Sequence, residues 1–195
     1  MILSCHHFKG LKNNLYTAMK FLSMLLVTGA LGTFCADETP SKLHFPEPPR
    51  TSNHLFYIQR SNNTNTVMYE ANVGSDKKLD HESPMNVYWI RYAERGQRED
   101  LSTLQWRLAY GYKHHSTPSA NTYEISLNAL KKRQIWVTYQ ENKPVAMTHI
   151  NGRKVLLQKV FVQLANNAFI PKVKYVELFG VENDNRTKAY ERIDI

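Results

Sequence analysis

The chain has 195 residues, 42% of them hydrophobic, and a formal net charge of +8. That length and apolar content exclude an intrinsically disordered chain and lead one to expect a single domain with a sizeable core. The 25 Lys and Arg residues are scattered, with Lys131-Lys132-Arg133 as the one run, so the basic stripe interleaved with aromatics that nucleic-acid binding needs is missing.

From Met19 the chain reads "MKFLSMLLVTGALGTFCADETP". Lys20 is a short basic segment, Phe21 to Leu31 an apolar run, and Gly32, Thr33 and Cys35 are small residues near a cut. This is the layout of a secretory signal peptide, and the apolar run falls short of the roughly 20 residues of a membrane-spanning helix. Cleavage is expected near Cys35 or Ala36, with Met19 as the start. The bulky Phe34 argues against a lipid anchor on Cys35, so the signal is the only expected link to a membrane. The expected organisation is an N-terminal extension and signal over 1–36, a flexible Pro-rich leader over 37–53, and one β-domain over 54–195. Lys9, Lys12 and Lys20 would leave with the signal, taking the net charge to about +5. Cys5 and Cys35, the only cysteines, would leave too. The exported domain would then have no disulfide, no thiol nucleophile and no cysteine metal site. Such a domain fits a bacterial envelope, periplasmic or secreted, better than an animal extracellular space.

"HLFYIQR" (54–60) and "TVMYEANV" (66–73), joined by "SNNTN", predict a β-hairpin. "GSDKKLDHESP" reads as a loop, "MNVYWIRY" (85–92) as a strand rich in β-branched and aromatic residues, and "AERGQRED" as a turn. The spacing then changes. Ser102 and Gln105 form a capping box, and Leu101, Leu104, Leu108 and Ala109 share one helical face. Gly111 suits the left-handed residue that closes a helix. A helix over 102–110 is expected, its leucines sealing the core. Strands follow at 122–130, 134–141, 144–150, 154–165, 172–182 and 187–195, with Asn142-Lys143 as a tight turn and Asn151-Gly152 as the strongest hairpin signal. The expected fold is mainly β: an antiparallel β-sandwich or barrel of about eight strands with one capping α-helix.

"FYIQRSNNTNTVMYEANV", "PMNVYWIRYAERG", "LSTLQWRLAYGY" and "INGRKVLLQKVFVQL" together resemble DUF4833, a family of small exported bacterial proteins defined as a domain of unknown function. The likeness runs from about Leu55 to the C-terminus, and Tyr57 to Ser61 and Leu108 to Gly111 are its most specific parts. It implies a periplasmic or secreted bacterial protein and brings no catalytic residue with it.

The residues that carry chemistry are few. His114 and His115 are adjacent and would point to opposite sides of an extended segment, which is poor metal geometry. The other histidines of the domain are isolated and expected in solvent. No serine elbow and no glycine-rich phosphate loop is present. Glu99-Asp100 stands where negative charge favours the start of a helix. Glu70 shares a strand face with Met68 and would face Arg60 across the first hairpin, while Glu177 lies between Tyr175 and Phe179. Glycoside hydrolysis would require two facing carboxylates.

An arginine and aromatic constellation remains. Val87, Trp89 and Arg91 alternate onto one face, Arg60 ends a face after Phe56 and Ile58, and Trp106, Tyr110 and Tyr112 gather at the helix. Such a mixture suits carboxylates, sugars or peptides. It equally suits a core tryptophan with rim arginines. The candidate ligand-binding set is Arg60, Glu70, Trp89, Arg91, Trp106, Tyr110 and Tyr112, with no catalytic residue, no metal and no cofactor expected. The favoured expectation is a non-catalytic exported binding module for a small molecule, a glycan or an envelope protein. The alternatives are a hydrolase of an envelope or dietary polymer using Glu70 or Glu177, and a carrier of a small lipophilic ligand.

Overall fold

The computed structural model describes residues 44–165 and 172–195, and these hold eleven strands, most of them over segments of apolar alternation. In order they are β1 (His54–Arg60), β2 (Asn63–Ala71), β3 (Met85–Arg91) and β4 (Gln97–Asp100), then α1 (Thr103–Gln105), which runs on as a π turn over Trp106–Tyr110. The second half holds β5 (Tyr112–Ser116), β6 (Thr122–Leu127), β7 (Gln134–Gln140), β8 (Lys143–Ile150), β9 (Arg153–Leu164), β10 (Val173–Val181) and β11 (Lys188–Asp194). The expected extension and signal lie outside the described residues. Among the described residues no helix is long and apolar enough to cross a membrane.

All eleven strands join one sheet in the order β4-β3-β2-β1-β9-β8-β7-β6-β5, with β10 on β9 and β11 on β10, and the sheet curls into a half-barrel. Every pairing is antiparallel except β1 with β9, which is parallel from Tyr57–Lys159 to Arg60–Val162. β9 organises the molecule. Along one edge it pairs β8 from Arg153 to Leu156 and then β1 from Lys159 to Val162, while β10 takes the other edge. The sheet therefore forks where β8 leaves β9 and β1 joins it.

Period-two alternation sends Phe56, Val67, Tyr69, Trp89, Ile135 and Leu178 into the concave core, all at most 1% exposed. Tyr57, Met68, Tyr88 and Ile90 form a smaller cluster on the outer face. The stretch expected as a flexible leader packs there in part. Phe45 meets Phe161 edge-on at 5.3 Å, and Gln59 Nε2 donates to the Pro46 carbonyl at 2.8 Å.

The turns follow their chemistry. Asn151-Gly152 adopts positive φ at both residues (49° and 76°), as a type I′ hairpin turn requires. The β7–β8 turn is Glu141-Asn142 (φ 50° and 61°), one residue earlier than expected, because Lys143 already belongs to β8. The first hairpin turns tightly at Ser61-Asn62, so β2 begins at Asn63 and absorbs most of the expected loop.

The helix differs most from expectation. Its capping box forms, with Gln105 N–H donating to Ser102 Oγ at 3.3 Å and Ser102 N–H donating to Gln105 Oε1 at 3.0 Å. Only one α-turn follows before the backbone widens into the π turn, which closes with Gly111 N–H on the Trp106 carbonyl at 2.9 Å. The extra residue rotates the inner face. Trp106 and Ala109 pack on the core, whereas Leu104 and Leu108 are 67% and 69% exposed. Gly111 is extended (φ −68°, ψ 172°), not left-handed. Glycine is needed there for space, since a Cβ would lie 2.4 Å from the Trp106 carbonyl oxygen.

Candidate functional site

The helix end assembles around Trp89. β3 carries the indole inward at 1% exposure. The π turn sets Tyr110 edge-on to it at 5.0 Å. The Arg60 guanidinium, at the end of β1, lies 4.9 Å from the Trp89 ring and 5.6 Å from the Tyr110 ring. Arg91 approaches the same indole at 5.3 Å. Four candidates named from the sequence, Arg60, Trp89, Arg91 and Tyr110, thus form one cluster.

Two residues without a site role in the sequence reading hold this cluster in place. Gln105 Oε1, already part of the capping box, also accepts from Trp89 Nε1 at 3.3 Å. The capping box was its only signal, and that signal says nothing of an indole 16 residues back in the chain. Tyr69 reaches across from β2 and donates to the Tyr110 carbonyl at 2.8 Å. Full burial pushes the Tyr69 phenol well above its ordinary range, with Tyr110 adding to the effect, so it stays a neutral donor. Burial raises Tyr110 too, opposed by the Arg60 charge and by hydrogen bonding from Arg60.

The two arginines differ in kind. Arg91 forms a two-pronged pair with Glu99, Nε to Oε2 at 2.8 Å and Nη2 to Oε1 at 2.9 Å, with Glu94 at 3.7 Å. The hydrogen bonds to Glu99 hold Arg91 above its ordinary pKa, and those from Arg91 hold Glu99 below the usual carboxylate range. Glu99 is therefore a strand residue of β4 clamping Arg91, not a helix-dipole partner. Arg60 makes no ion pair among the described residues, and its buried Nε lacks a hydrogen-bond partner. A small apolar hollow of about 110 Å³ adjoins, lined by Ile58, Tyr110, Leu127, Val160, Val162 and Val176 among others.

Trp106 and Tyr112 continue the aromatic layer, 5.4 Å apart. Tyr112 is anchored from both sides, its hydroxyl donating to the Met85 carbonyl at 2.7 Å and accepting from Met85 N–H at 3.0 Å. It works as a brace between β5 and β3.

Glu70 does not join the cluster. In the β1–β2 register it faces His54, whereas Arg60 faces Asn63 at the opposite end. It accepts from Thr51 Oγ1 at 2.6 Å and stands beside Tyr88, whose phenol is pushed up to about 12 by burial and by this carboxylate. Glu177 accepts from Tyr190 Oη at 2.8 Å. The expected pairing of Glu70 with Arg60 is thus corrected by strand register. Among the described residues no group of three or more metal-type ligands converges, and His114 Nε2 meets the His81 carbonyl at 3.1 Å. His54 is half-buried at the start of β1, and burial lowers its pKa, with Arg50 adding to the effect.

Fold and site together define a mainly β protein, a curled sheet with one helical turn packed on its core. The chain belongs to the DUF4833 family, described as a domain of unknown function, whose model matches residues 56–192. This bears out the family expected from the four sequence phrases. No curated protein and no solved structure matches the chain.

Proposed function

We propose that this protein is an exported, non-catalytic binding module of the bacterial envelope that takes a small carboxylate-bearing molecule at its helix end. The observation that carries this reading is Arg60. It is a guanidinium without an ion-pair partner among the described residues, held over two aromatic rings, one of which, Tyr110, lines an apolar hollow. A carboxylate fits the planar fork of a guanidinium, and the small hollow suits an apolar body of only a few carbons. Arg91 serves this reading as a support, since Glu99 already occupies its fork. The apolar lining also favours the related carrier reading, in which the ligand's lipophilic part supplies most of the affinity. A hydrolase is less well supported, because Glu70 and Glu177 are engaged with Thr51 and Tyr190 separately. Export rests on the signal-like stretch from Met19 and on the resemblance noted above.

A titration tests the reading. Benzoate and hexanoate, added to the full chain, are expected to change tryptophan fluorescence saturably, because Trp89 lies under Arg60. Benzyl alcohol and hexanol should bind at least tenfold more weakly. No saturable change with either acid, or equal binding of acids and alcohols, would overturn it.

A further inference from the structure

A second and larger hollow, of about 590 Å³, opens where the sheet forks. Its volume falls within the roughly 300–1,000 Å³ typical of small-molecule sites. Local irregularity makes it. Leu157 and Gln158 of β9 lie between the end of the β8 pairing at Leu156 and the start of the β1 pairing at Lys159. On the other edge Lys159 faces Phe179 and Leu157 faces Gly180, so Gln158 is the extra residue of a bulge. Bulges bend a strand and re-aim its side chains. Gly180 permits the close approach of β10, since a Cβ there would lie 2.6 Å from the Leu156 carbonyl oxygen.

On the outer face one row crosses four strands: Tyr57, Lys159, Phe179 and Tyr190, each the register partner of the next. All four line the hollow. The Lys159 ammonium lies 6.0 Å from the Tyr57 ring, 5.6 Å from Phe161 and 5.6 Å from Phe179. Tyr190, at the end of the row, is 47% exposed.

Charge in the lining is one-sided. Arg50, Lys143, Lys159 and Lys188 stand against Glu47 as the one carboxylate. Arg50 already meets Glu47 at 3.6 Å. Lys143, Lys159 and Lys188 form no ion pair among the described residues. Desolvation holds the Lys159 ammonium below the ordinary lysine range, against the pull of Glu177 and Glu47. With the one lining carboxylate already on Arg50, this excess of amines favours an anion. An exposed tyrosine ring beside them favours a body with a flat C–H face, which a sugar ring presents.

We infer that the fork is a second binding site, independent of the helix end, for a sugar that carries a phosphate or a carboxylate. The row Tyr57–Lys159–Phe179–Tyr190 forms its floor, and Lys143 and Lys188 meet the anionic group.

Backbone-amide NMR of the full chain tests this, with glucose 6-phosphate, glucuronate, glucose and inorganic phosphate as probes. The phosphate and the carboxylate sugar separate the two sources of charge. Saturable shifts at Lys159, Phe179 and Tyr190 are expected with at least one charged sugar, and at least tenfold weaker binding with glucose. The Trp89 indole resonance should stay in place, which separates this site from the helix end. Affinity should fall at least tenfold in Lys159→Met. It should fall likewise in the exposed double variant Lys143→Gln/Lys188→Gln, whose melting temperature should match the unaltered chain. No saturable shift with either charged sugar, glucose binding as tightly as they do, or an unchanged affinity in the double variant would overturn the inference. Inorganic phosphate binding as tightly as glucose 6-phosphate would overturn the sugar.

Discussion

The helix end and the fork are built from the same materials, aromatic rings and cations, and they differ in how charge is settled. At the helix end the structure settles most of it. Glu99 holds Arg91, Tyr69 holds the π turn, Gln105 holds the indole, and Arg60 has no ion pair among the described residues. At the fork three lysines form no ion pair among the described residues, against Glu47 as the one lining carboxylate, around a hollow several times larger. The difference teaches that side-chain type does not distinguish a site from a scaffold. What distinguishes them is whether each polar group already has a partner.

Substitutions can break this comparison, and the largest effect belongs to the scaffold. Trp89→Ala removes a core indole and should cost about 3–5 kcal/mol, read by urea denaturation. A small effect would mean that the helix end is looser than its contacts imply. Next comes Gly111→Ala, where the new methyl meets the Trp106 carbonyl. A loss of roughly 1–3 kcal/mol is expected, together with a displaced Tyr110 and weaker carboxylate binding.

Arg60→Gln sharpens the contrast. It should weaken benzoate binding at least tenfold, about 1.4 kcal/mol, while costing about 1 kcal/mol of stability or less through the lost cation–π contacts. Charged sugars at the fork should bind unchanged. Raising the salt concentration should weaken binding at the open, lysine-lined fork more than at the half-buried Arg60, because exposed charges are screened and buried ones less so.

Glu99→Gln should have the smallest effect, and a pH-dependent one. Glu99 has a lower pKa folded than unfolded because Arg91 bonds its charged form. Its contribution is therefore present above the ordinary carboxylate range and disappears as the pH falls through the folded value. The melting-temperature gap between Glu99→Gln and the unaltered chain should be small at pH 7 and close in acid. A gap that persists in acid would mean that Glu99 acts through packing.

Local patterns were legible wherever the physics is local. Asn151-Gly152 specified its hairpin, Ser102 and Gln105 their capping box, and the alternation of Val87, Trp89 and Arg91 the inward face of β3. Gln97–Asp100 and Tyr112–Ser116 lack apolar alternation, and they became strands because their neighbours offered free edges. The parallel pairing of β1 with β9 joins residues about a hundred positions apart and leaves no mark in either segment. Leu104 and Leu108 misled because helical periodicity assumes 3.6 residues per turn, which a π turn does not keep. The arginine–aromatic cluster could be read because Arg60, Arg91 and Tyr110 sit at strand and helix ends and Trp89 alternates with Arg91 on β3. The fork could not, because its lysines come from β8, β9 and β11 and meet only through topology.

The most direct test of the central claim is native mass spectrometry of the protein purified from the periplasm of an expressing bacterium, for the unaltered chain and for Arg60→Gln. The account predicts an added mass on the unaltered chain that is lost on denaturing, carries a carboxylate, and is missing from the variant. A bare unaltered chain, or the same non-sugar adduct on both proteins, would contradict it.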